Sequence, residues 1–270
     1  MLSLLRLIGL TLGELGYLLG IRRDVTTQNL SKAYPGRPSR VIRRIARRSF
    51  GNLGIVFAEM LYLRFVSRER VRAGLRIENL NEVMNSILRS TGIVFLSGHY
   101  ANWEWVAMGV GVQIDRPLKV VVKNQRSGFA EKFLMTMRTR FGNVMLDAVD
   151  VRSMFRALKH GETLGVLGDQ TAGQEGMRVP FFGREVPTFE GTARLVLQTG
   201  ATIVFVQPVR RTASGYDIRL RLLDHSDISG TSPESVRALT ARHTAMLEQI
   251  IREKPEFWLW QHKRWKHATT

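Results

Sequence analysis

The feature that most constrains the fold is a regular alternation of short apolar segments with longer amphipathic segments between residues 92 and 253. The apolar segments are rich in β-branched residues and end at glycine or polar turns, which is typical of buried strands. Strands are predicted at 92–96, 118–122, 144–146, 163–167, 202–206 and 216–222. One helix is predicted to start near residue 103, and further helices are predicted at 127–141, 150–159, 192–198 and 232–253. This alternation predicts an α/β fold with a mixed, largely parallel sheet flanked by helices.

The turn after the first of these strands carries the strongest candidate site. Gly98 ends the strand, His99 lies in the turn, and Asn102 is placed to cap a helix whose first turn contains Glu104. On one continuous helix the histidine and the glutamate would point in directions about 140° apart, whereas a turn between them lets the carboxylate reach the imidazole. A histidine held by a carboxylate at the carboxyl end of a parallel strand is a candidate general base. The simpler alternative is a surface histidine beside a capping glutamate.

Several other kinds of chemistry have no counterpart in the sequence. The chain has no cysteine, no G-x-S-x-G nucleophile elbow, no glycine-rich phosphate loop and no H-E-x-x-H zinc pair. Its six histidines are scattered, so neither a metal site nor a cofactor is predicted. The His99/Glu104 pair would then activate a hydroxyl group supplied by a substrate, or a water molecule.

The first 21 residues are mostly apolar and contain four glycines at three- and four-residue spacing, interrupted by Arg6 and Glu14. The length suits a membrane helix, although a carboxylate near its middle is costly in hydrocarbon. We therefore expect residues 1–23 to form a membrane-anchoring helix that either spans the bilayer or lies in its interface. Arg22 and Arg23 directly after it favour a cytoplasmic location for the rest of the chain. Residues 24–37, with two prolines nearby, are predicted to be a loop.

The charge of the chain is strongly positive, and much of the excess lies near this segment. The net charge is +17, and residues 1–50 contain ten Lys or Arg against two acidic residues. A helix is predicted from Ser39, and one of its faces carries five arginines at helical spacing, Arg40, Arg43, Arg44, Arg47 and Arg48. Like charges on one face repel each other, so the pattern indicates an anionic partner. Lipid phosphates fit this pattern, and so does a nucleic-acid backbone.

Several motifs together resemble one known family. The H-x-x-x-x-E of His99 and Glu104, with Asn-Trp before the glutamate, is similar to the signature of the bacterial lipid A biosynthesis (late or secondary) acyltransferases, a branch of the lysophospholipid acyltransferase superfamily. The resemblance extends over nearly the whole chain. Its further blocks, in order, are residues 52–54, Asp169-Gln170 with Gly173, residues 179–183, residues 191–195, residues 199–201 and the tryptophan-basic segment 258–266.

The resemblance implies a fold, a site and a reaction. Residues 24–270 would form a glycerolipid acyltransferase-like domain in which His99 deprotonates an acceptor hydroxyl and Glu104 orients the imidazole. Where the family commonly has an arginine after a strand, this chain has Lys123, with Arg126 three residues later, and which of the two inherits the role stays open. The substrate-binding residues implied by the blocks are Lys123, Arg126, Asp169, Gln170, Gly191, Thr192 and Arg194.

The resulting hypothesis is acyl transfer from an acyl thioester, carried by acyl carrier protein or coenzyme A, to a hydroxyl group of an anionic glycolipid, a lipid A precursor. The reaction would take place at the cytoplasmic face of a bacterial inner membrane, without an acyl-enzyme. Other acceptors stay open, namely a glycerophospholipid, an ornithine lipid or a glycosylated phosphoinositide. A hydrolase that activates water with the same pair is a further alternative. A basic nucleic-acid-binding protein is an alternative from another class, although no nucleic acid is expected as a partner.

Overall fold

Helices and strands alternate along the computed structural model, which describes residues 2–87, 92–114, 117–123, 128–212 and 215–268. The helices of these ranges are α1 Leu2–Leu18, α2 Arg23–Ala33, α3 Ser39–Leu63, α4 Arg68–Gly74, α5 Leu80–Ser86, α6 Trp103–Gln113, α7 Gly128–Arg138, α8 Val151–Lys159, α9 Gly191–Thr199 and α10 Pro233–Glu253. The strands are β1 Leu75–Ile77, β2 Ile93–Ser97, β3 Lys119–Val122, β4 Val144–Asp147, β5 Thr163–Leu167, β6 Met177–Phe181, β7 Arg184–Thr188, β8 Thr202–Arg210 and β9 Tyr216–Leu222. A short 3-10 turn, Pro255–Phe257, comes after α10.

Seven of the strands form one twisted sheet in the order β1-β9-β8-β2-β5-β3-β4. Every neighbouring pair is parallel except β8 and β9, which are antiparallel. The remaining two strands, β6 and β7, form a separate antiparallel hairpin. The predicted α/β fold with a mixed, largely parallel sheet flanked by helices is therefore confirmed.

The central strand β2 determines where the site lies. All five of its residues are buried, because β5 and β8 cover its two edges and helices cover its faces. In the parallel β2/β5 pair, Ser97 is opposite Leu167. The residues two positions further along the two strands are His99 and Asp169, so the register brings these two to the same end of the sheet.

Helix α1 packs lengthwise against α3 in the antiparallel direction. Close approach depends on glycine, because a Cβ atom at Gly9 would lie 2.6 Å from the Gly54 carbonyl oxygen. Near the start of α1, Arg6 forms a buried salt bridge with Glu59 of α3, Nε to Oε1 at 2.6 Å. Of the helices in the described ranges, none taken singly has the length and apolar character needed to cross a membrane. Taken together, α1 and α2 have the required length and apolar character, but the chain bends by 90° between them.

Two local predictions were wrong or incomplete. Residues 23–33 form helix α2 rather than a loop, and only the Pro-Gly segment after it is irregular. The sequence of α2 lacks an apolar stripe because its buried side includes Asn29, whose amide donates to the carbonyls of Trp260 and His262 at 2.8 and 2.7 Å. The hairpin β6–β7 was not predicted as strands either.

Candidate active site

The candidate site begins with the turn between β2 and α6. Gly98 is required there, since a Cβ atom at this position would lie 3.0 Å from a carboxylate oxygen of Asp169. Asn102 caps α6 as predicted, and its side-chain oxygen accepts from the Trp105 amide at 2.9 Å. Its amide nitrogen donates to Glu59 at 2.8 Å, which ties the turn to α3. The turn therefore holds His99 in a defined position at the end of the sheet.

The carboxylate that contacts the imidazole is Asp169. Its Oδ1 lies 2.7 Å from His99 Nδ1, and its Oδ2 accepts the backbone amide of His99 at 2.7 Å. A third bond comes from the indole of Trp258, whose Nε1 donates to Oδ2 at 2.8 Å. Asp169 is buried, and its three donors fix both the carboxylate and the ring. Nδ1 thus faces Asp169, and Nε2 is the nitrogen left for a substrate.

Glu104 has a different partner from the one expected. Its two carboxylate oxygens accept from the Nε and Nη2 of Arg138 at 2.8 and 2.5 Å, a bidentate ion pair. The indole of Trp103 also donates to Glu104, at 3.2 Å, and its ring packs edge-on against His99. The predicted orientation of the imidazole by Glu104 is therefore corrected: Asp169 occupies Nδ1, because β5 adjoins β2 and delivers it there.

The electrostatics of the site depend on burial and on these pairs. Burial by itself lowers the pKa of His99, but the charge and hydrogen bond of Asp169, assisted by Glu104, more than reverse this and raise the pKa above its usual value. Burial pushes the pKa of Asp169 upward, yet the bonds from His99 and Trp258 hold it below its usual range. The pair therefore favours an imidazolium beside a carboxylate, the charge state that a general base reaches after accepting a proton.

An apolar cavity of about 360 Å³ opens beside His99 and runs along the sheet. Glu104, Arg138 and Gln170 line it near the histidine, and Gln170 Nε2 lies 3.4 Å from His99 Nε2. Its walls are apolar residues of β2, β3, β5 and α6 and of the residue before β3, including Val94, Phe95, Val106, Val110, Leu118, Val120 and Leu164. The wall residue Gly165 is opposite Phe95 in the sheet. Phe95 precedes His99 by four residues, or roughly 13 Å along a strand.

The other residues predicted for substrate binding lie in different places. Lys123, Gly191 and Thr192 line the cavity, the last two at the start of α9. Arg194 pairs with Glu190 one helical turn earlier, Nε to Oε1 at 2.7 Å, and is not among the cavity-lining residues. Arg126 lies outside the described residues. Within the ranges that the structure covers, no group of three or more His, Asp or Glu side chains is placed to hold a metal ion.

Sequence reasoning missed two residues of this site. Arg138 lies at the end of α7 without any motif around it, and only the packing of α7 against α6 reveals its contact with Glu104. Trp258 belongs to the closing tryptophan-basic segment, which the sequence linked to the family but not to the site. It is fully buried and its indole nitrogen reaches Asp169. Because both contacts join residues far apart in sequence, spacing alone contained no signal for them.

Comparison with known proteins finds similarity to lipid A biosynthesis acyltransferases. The profile of the family described as "Bacterial lipid A biosynthesis acyltransferase" matches residues 2–267. The chain is 26% identical to the lipid A biosynthesis palmitoleoyltransferase of Escherichia coli K12 over 91% of this chain and 79% of that protein. It is 25% identical to the E. coli lipid A biosynthesis lauroyltransferase over 96% of this chain and 84% of that protein. A lipid A biosynthesis acyltransferase of Haemophilus influenzae is also 25% identical, over 91% of this chain and 78% of that protein.

Proposed function

The chain belongs to the bacterial lipid A biosynthesis acyltransferase family, and from that premise we propose that it transfers a fatty acyl chain from an acyl thioester to a hydroxyl group of a lipid A precursor. The acceptor is a phosphorylated glycolipid, and the donor carrier is acyl carrier protein or coenzyme A. The relatives named as palmitoleoyltransferase and lauroyltransferase support an acyl donor and a lipid A acceptor. The reaction would take place at the cytoplasmic face of a bacterial inner membrane.

The single observation that carries this proposal is the pairing of His99 with Asp169 at the mouth of an apolar cavity. The cavity supplies space for an acyl chain, and the histidine supplies a base whose Nε2 faces away from Asp169. The sequence has no cysteine, and the hydroxyl of Ser97, which lines the cavity, donates to the Val206 carbonyl at 2.8 Å. A hydroxyl group of the acceptor is the proposed nucleophile.

The proposed mechanism moves one proton in a cycle. His99 Nε2 accepts the proton of the acceptor hydroxyl while that oxygen attacks the thioester carbonyl, and an ester C–O bond forms in a tetrahedral intermediate. The intermediate collapses, the C–S bond breaks, and the departing thiolate takes the proton back from the imidazolium. Asp169 stabilises the imidazolium and keeps the Nδ1 proton in place, as the carboxylate of a catalytic triad does.

The remaining polar groups of the cavity have proposed supporting roles. Gln170, whose amide lies 3.4 Å from Nε2, is positioned to donate to an oxygen at the reacting centre. Glu104 contributes in two ways: it holds Arg138 at the cavity wall, and its negative charge raises the pKa of His99. Lys123 remains the candidate cation for the phosphate of a donor or an acceptor.

The apolar part of the cavity is the proposed site of the acyl chain. Its lining extends from His99 to the level of Gly165, roughly 13 Å along the strands at about 3.3 Å per residue. A chain placed there would have its thioester carbon near His99 and its methyl end between β3, β5 and α6. Burial of a hydrocarbon chain against these side chains would contribute about 0.8 kcal/mol per methylene group.

The proposal is tested by a transfer assay with purified protein, thioesters of several chain lengths and a lipid A precursor, with mass spectrometry of the lipid product. We expect acylated lipid from the wild type and none from His99→Ala. The matched control is His160→Ala, which removes an exposed histidine outside the site and should leave transfer unchanged. Near-wild-type transfer by His99→Ala, or thioester hydrolysis without any acylated lipid, would contradict the proposal.

A further inference from the structure

The turn that presents His99 contains a backbone conformation that an ordinary residue rarely adopts. Ala101 has a φ of 49°, which lies in the left-handed region that favours glycine. A residue with a Cβ atom is disfavoured in this region by roughly a factor of ten. Ala101 is also fully buried, so other parts of the chain enclose the turn. These surroundings must hold the turn in its strained conformation.

One of the groups that hold the turn is a buried carboxylate outside the cavity. Glu59 lies in the last third of α3, is fully buried and is not among the residues that line the cavity beside His99. Its Oε2 accepts the side-chain amide of Asn102, the residue after Ala101, at 2.8 Å. The other side-chain atom of Asn102 caps α6 at the Trp105 amide. The Asn102 side chain therefore joins the end of the turn to both α3 and α6.

The carboxylate of Glu59 is itself fixed by donors from two further parts of the chain. Arg6 of α1 donates its Nε to Oε1 at 2.6 Å, and the hydroxyl of Tyr216 in β9 donates to Oε2 at 2.5 Å. The guanidinium of Arg6 also donates to the backbone carbonyls of Arg211 and Gly215, at 2.9 and 3.2 Å. Because its donors approach from α1, β9 and the turn, the carboxylate is held in one orientation.

A second branch of the same network reaches the backbone of Ala101. The Tyr216 hydroxyl accepts from Arg210 Nε at 3.0 Å, and Arg210 Nη2 donates to Asn52 Oδ1 at 2.6 Å. The side-chain amide of Asn52 donates to the Phe257 carbonyl at 3.1 Å, and this carbonyl also accepts the Ala101 amide at 2.8 Å. The network therefore holds the turn by its backbone as well as by its capping side chain.

We propose that Glu59 is a positioning residue for the reaction, whose carboxylate holds the strained turn at Ala101 and thereby keeps His99 in contact with Asp169. Strain of this kind persists only where the surroundings enforce it. His99 lies two residues before Ala101, and Asp169 contacts both its ring and its backbone amide. Relaxation of the turn would therefore loosen the contact between the base and its carboxylate. If the network served only stability, its loss would affect unfolding but not the turnover of the folded enzyme.

The variant Glu59→Gln breaks one contact selectively. The Arg6 cation requires an acceptor, so the single oxygen of the glutamine would face Arg6, and its NH2 group would face Tyr216 and Asn102. A tyrosine hydroxyl can accept a hydrogen bond from this group, whereas the Asn102 amide cannot. We expect kcat for acyl transfer to fall roughly tenfold, the factor by which the left-handed conformation is disfavoured. The KM for the thioester should stay close to that of the wild type, since Glu59 does not line the cavity.

A second variant, Asn102→Ser, removes the same contact from the other side. Serine caps helices well but has no amide group to reach Glu59. This variant leaves the pair of Arg6 and Glu59 intact, so it tests the proposal even if Glu59→Gln fails to fold. We expect a similar loss of kcat, and no further loss when the two changes are combined, because both remove one hydrogen bond. Additive losses would mean that the two side chains act independently, and they would overturn the proposal.

A rescue experiment tests the role of the strained residue directly. Glycine adopts the left-handed conformation without a steric penalty, so a turn with Ala101→Gly no longer needs to be enforced. Adding this change to Glu59→Gln should restore most of the lost kcat. A role in stability alone predicts no recovery, because glycine adds no packing contact. Failure of the folded double variant to recover activity would overturn the proposal.

The matched control, Val236→Ala, lowers stability without touching the network. Val236 is fully buried in the first turn of α10, about 16 Å along the helix from Leu247, the residue of α10 that faces Gly98. This variant should lower the melting temperature and keep the kcat of the wild type below it. Equal losses of kcat in Val236→Ala and Glu59→Gln would show that only stability matters, and this would overturn the proposal.

The pH profile gives a readout that a purely structural role would not change. If the turn relaxes, the contact with Asp169 that raises the pKa of His99 weakens, and this pKa falls. The rise of kcat/KM on the acidic side of its pH profile should then move to lower pH in Glu59→Gln, and an unchanged profile would overturn the proposal. The other charged or titratable groups near the imidazole are the same in this variant, namely Glu104, Arg138 and His262.

The inference rests on the proposed function, and hydrogen exchange distinguishes the failure of one from the failure of the other. If the wild type makes no acylated lipid, the proposed function fails. Exchange of the Ala101 amide, which needs no substrate, then decides the role of Glu59. Faster exchange in Glu59→Gln than in Val236→Ala would support the positioning role, and equal exchange in the two variants would overturn it.

Discussion

Replacing Asp169 with asparagine should remove most of the activity, and the reason lies in the donors around this side chain. Oδ2 of Asp169 accepts from two fixed N–H groups, the backbone amide of His99 and the indole of Trp258. The single oxygen of an asparagine would have to take this position. Its NH2 group would then face His99 Nδ1 and donate to it, so the ring proton would move to Nε2. A histidine with its proton on Nε2 cannot accept another proton there from a substrate hydroxyl.

The expected magnitude is set by this tautomer change. A carboxylate-to-amide change of this kind in a catalytic triad lowers kcat about 10⁴-fold, and each factor of ten corresponds to about 1.4 kcal/mol of activation free energy. Asp169→Asn should therefore raise the barrier by roughly 5 kcal/mol with little change in the folded structure. The assay is kcat/KM for acyl transfer, together with circular dichroism to confirm folding.

The pH dependence provides a second readout of the same change. In the wild type the pKa of His99 is raised, so kcat/KM should increase with pH through a value above the usual 6.5 of histidine and then level off. Without the Asp169 carboxylate, burial dominates and lowers the pKa of His99. The rise of the residual kcat/KM on the acidic side of its pH profile, the acidic limb, should therefore move to lower pH. The reasoning would be refuted by a variant that keeps more than about a tenth of the activity, or by an acidic limb that does not move.

Three further predictions concern stability and chain length. Glu104→Gln should lower the free energy of unfolding by about 2 kcal/mol in urea melts, because the partly buried Arg138 guanidinium loses its charged hydrogen-bond partner; an unchanged midpoint would contradict this. Gly13→Ala should lower the melting temperature, since its Cβ would overlap α3, whereas Gly16→Ala should be neutral or slightly stabilising because its nearest neighbour lies 3.8 Å away; equal effects would be inconsistent with close α1–α3 packing. Gly165→Val should shift the preference toward shorter acyl chains in a competition among thioesters, read by mass spectrometry; an unaltered chain-length profile would mean that the acyl chain binds elsewhere.

Much of the architecture could be predicted because it depends on local patterns. The apolar runs and turn residues identify most strands and helices, and the Gly98 to Asn102 segment specifies a strand, a turn and a capped helix by itself. The family resemblance rested on motifs spread over the chain, and the profile match over residues 2–267 confirms it. Helix α2 was missed because two of its four buried residues, Thr26 and Asn29, are polar, and Asn29 is satisfied by the distant segment around Trp260.

The partner of His99 could not be derived from sequence spacing. Glu104 is five residues away and Asp169 is seventy, and the nearer carboxylate was the reasonable choice. The order of strands in a sheet is set by the packing of the whole domain, and only that order makes β5 the neighbour of β2. The same packing brings Arg138 of α7 to Glu104 and so leaves the imidazole to Asp169.

By itself, the sequence determined the α/β class, the turn that presents His99, the absence of a thiol nucleophile and the concentration of positive charge beside an apolar N-terminal segment. The tertiary structure decided which carboxylate holds the histidine, where an apolar cavity opens beside it, and which side of α1 remains exposed. The physical reason is that hydrophobic periodicity and turn chemistry act over a few residues, whereas strand order, buried ion pairs and helix contacts join residues far apart in the chain.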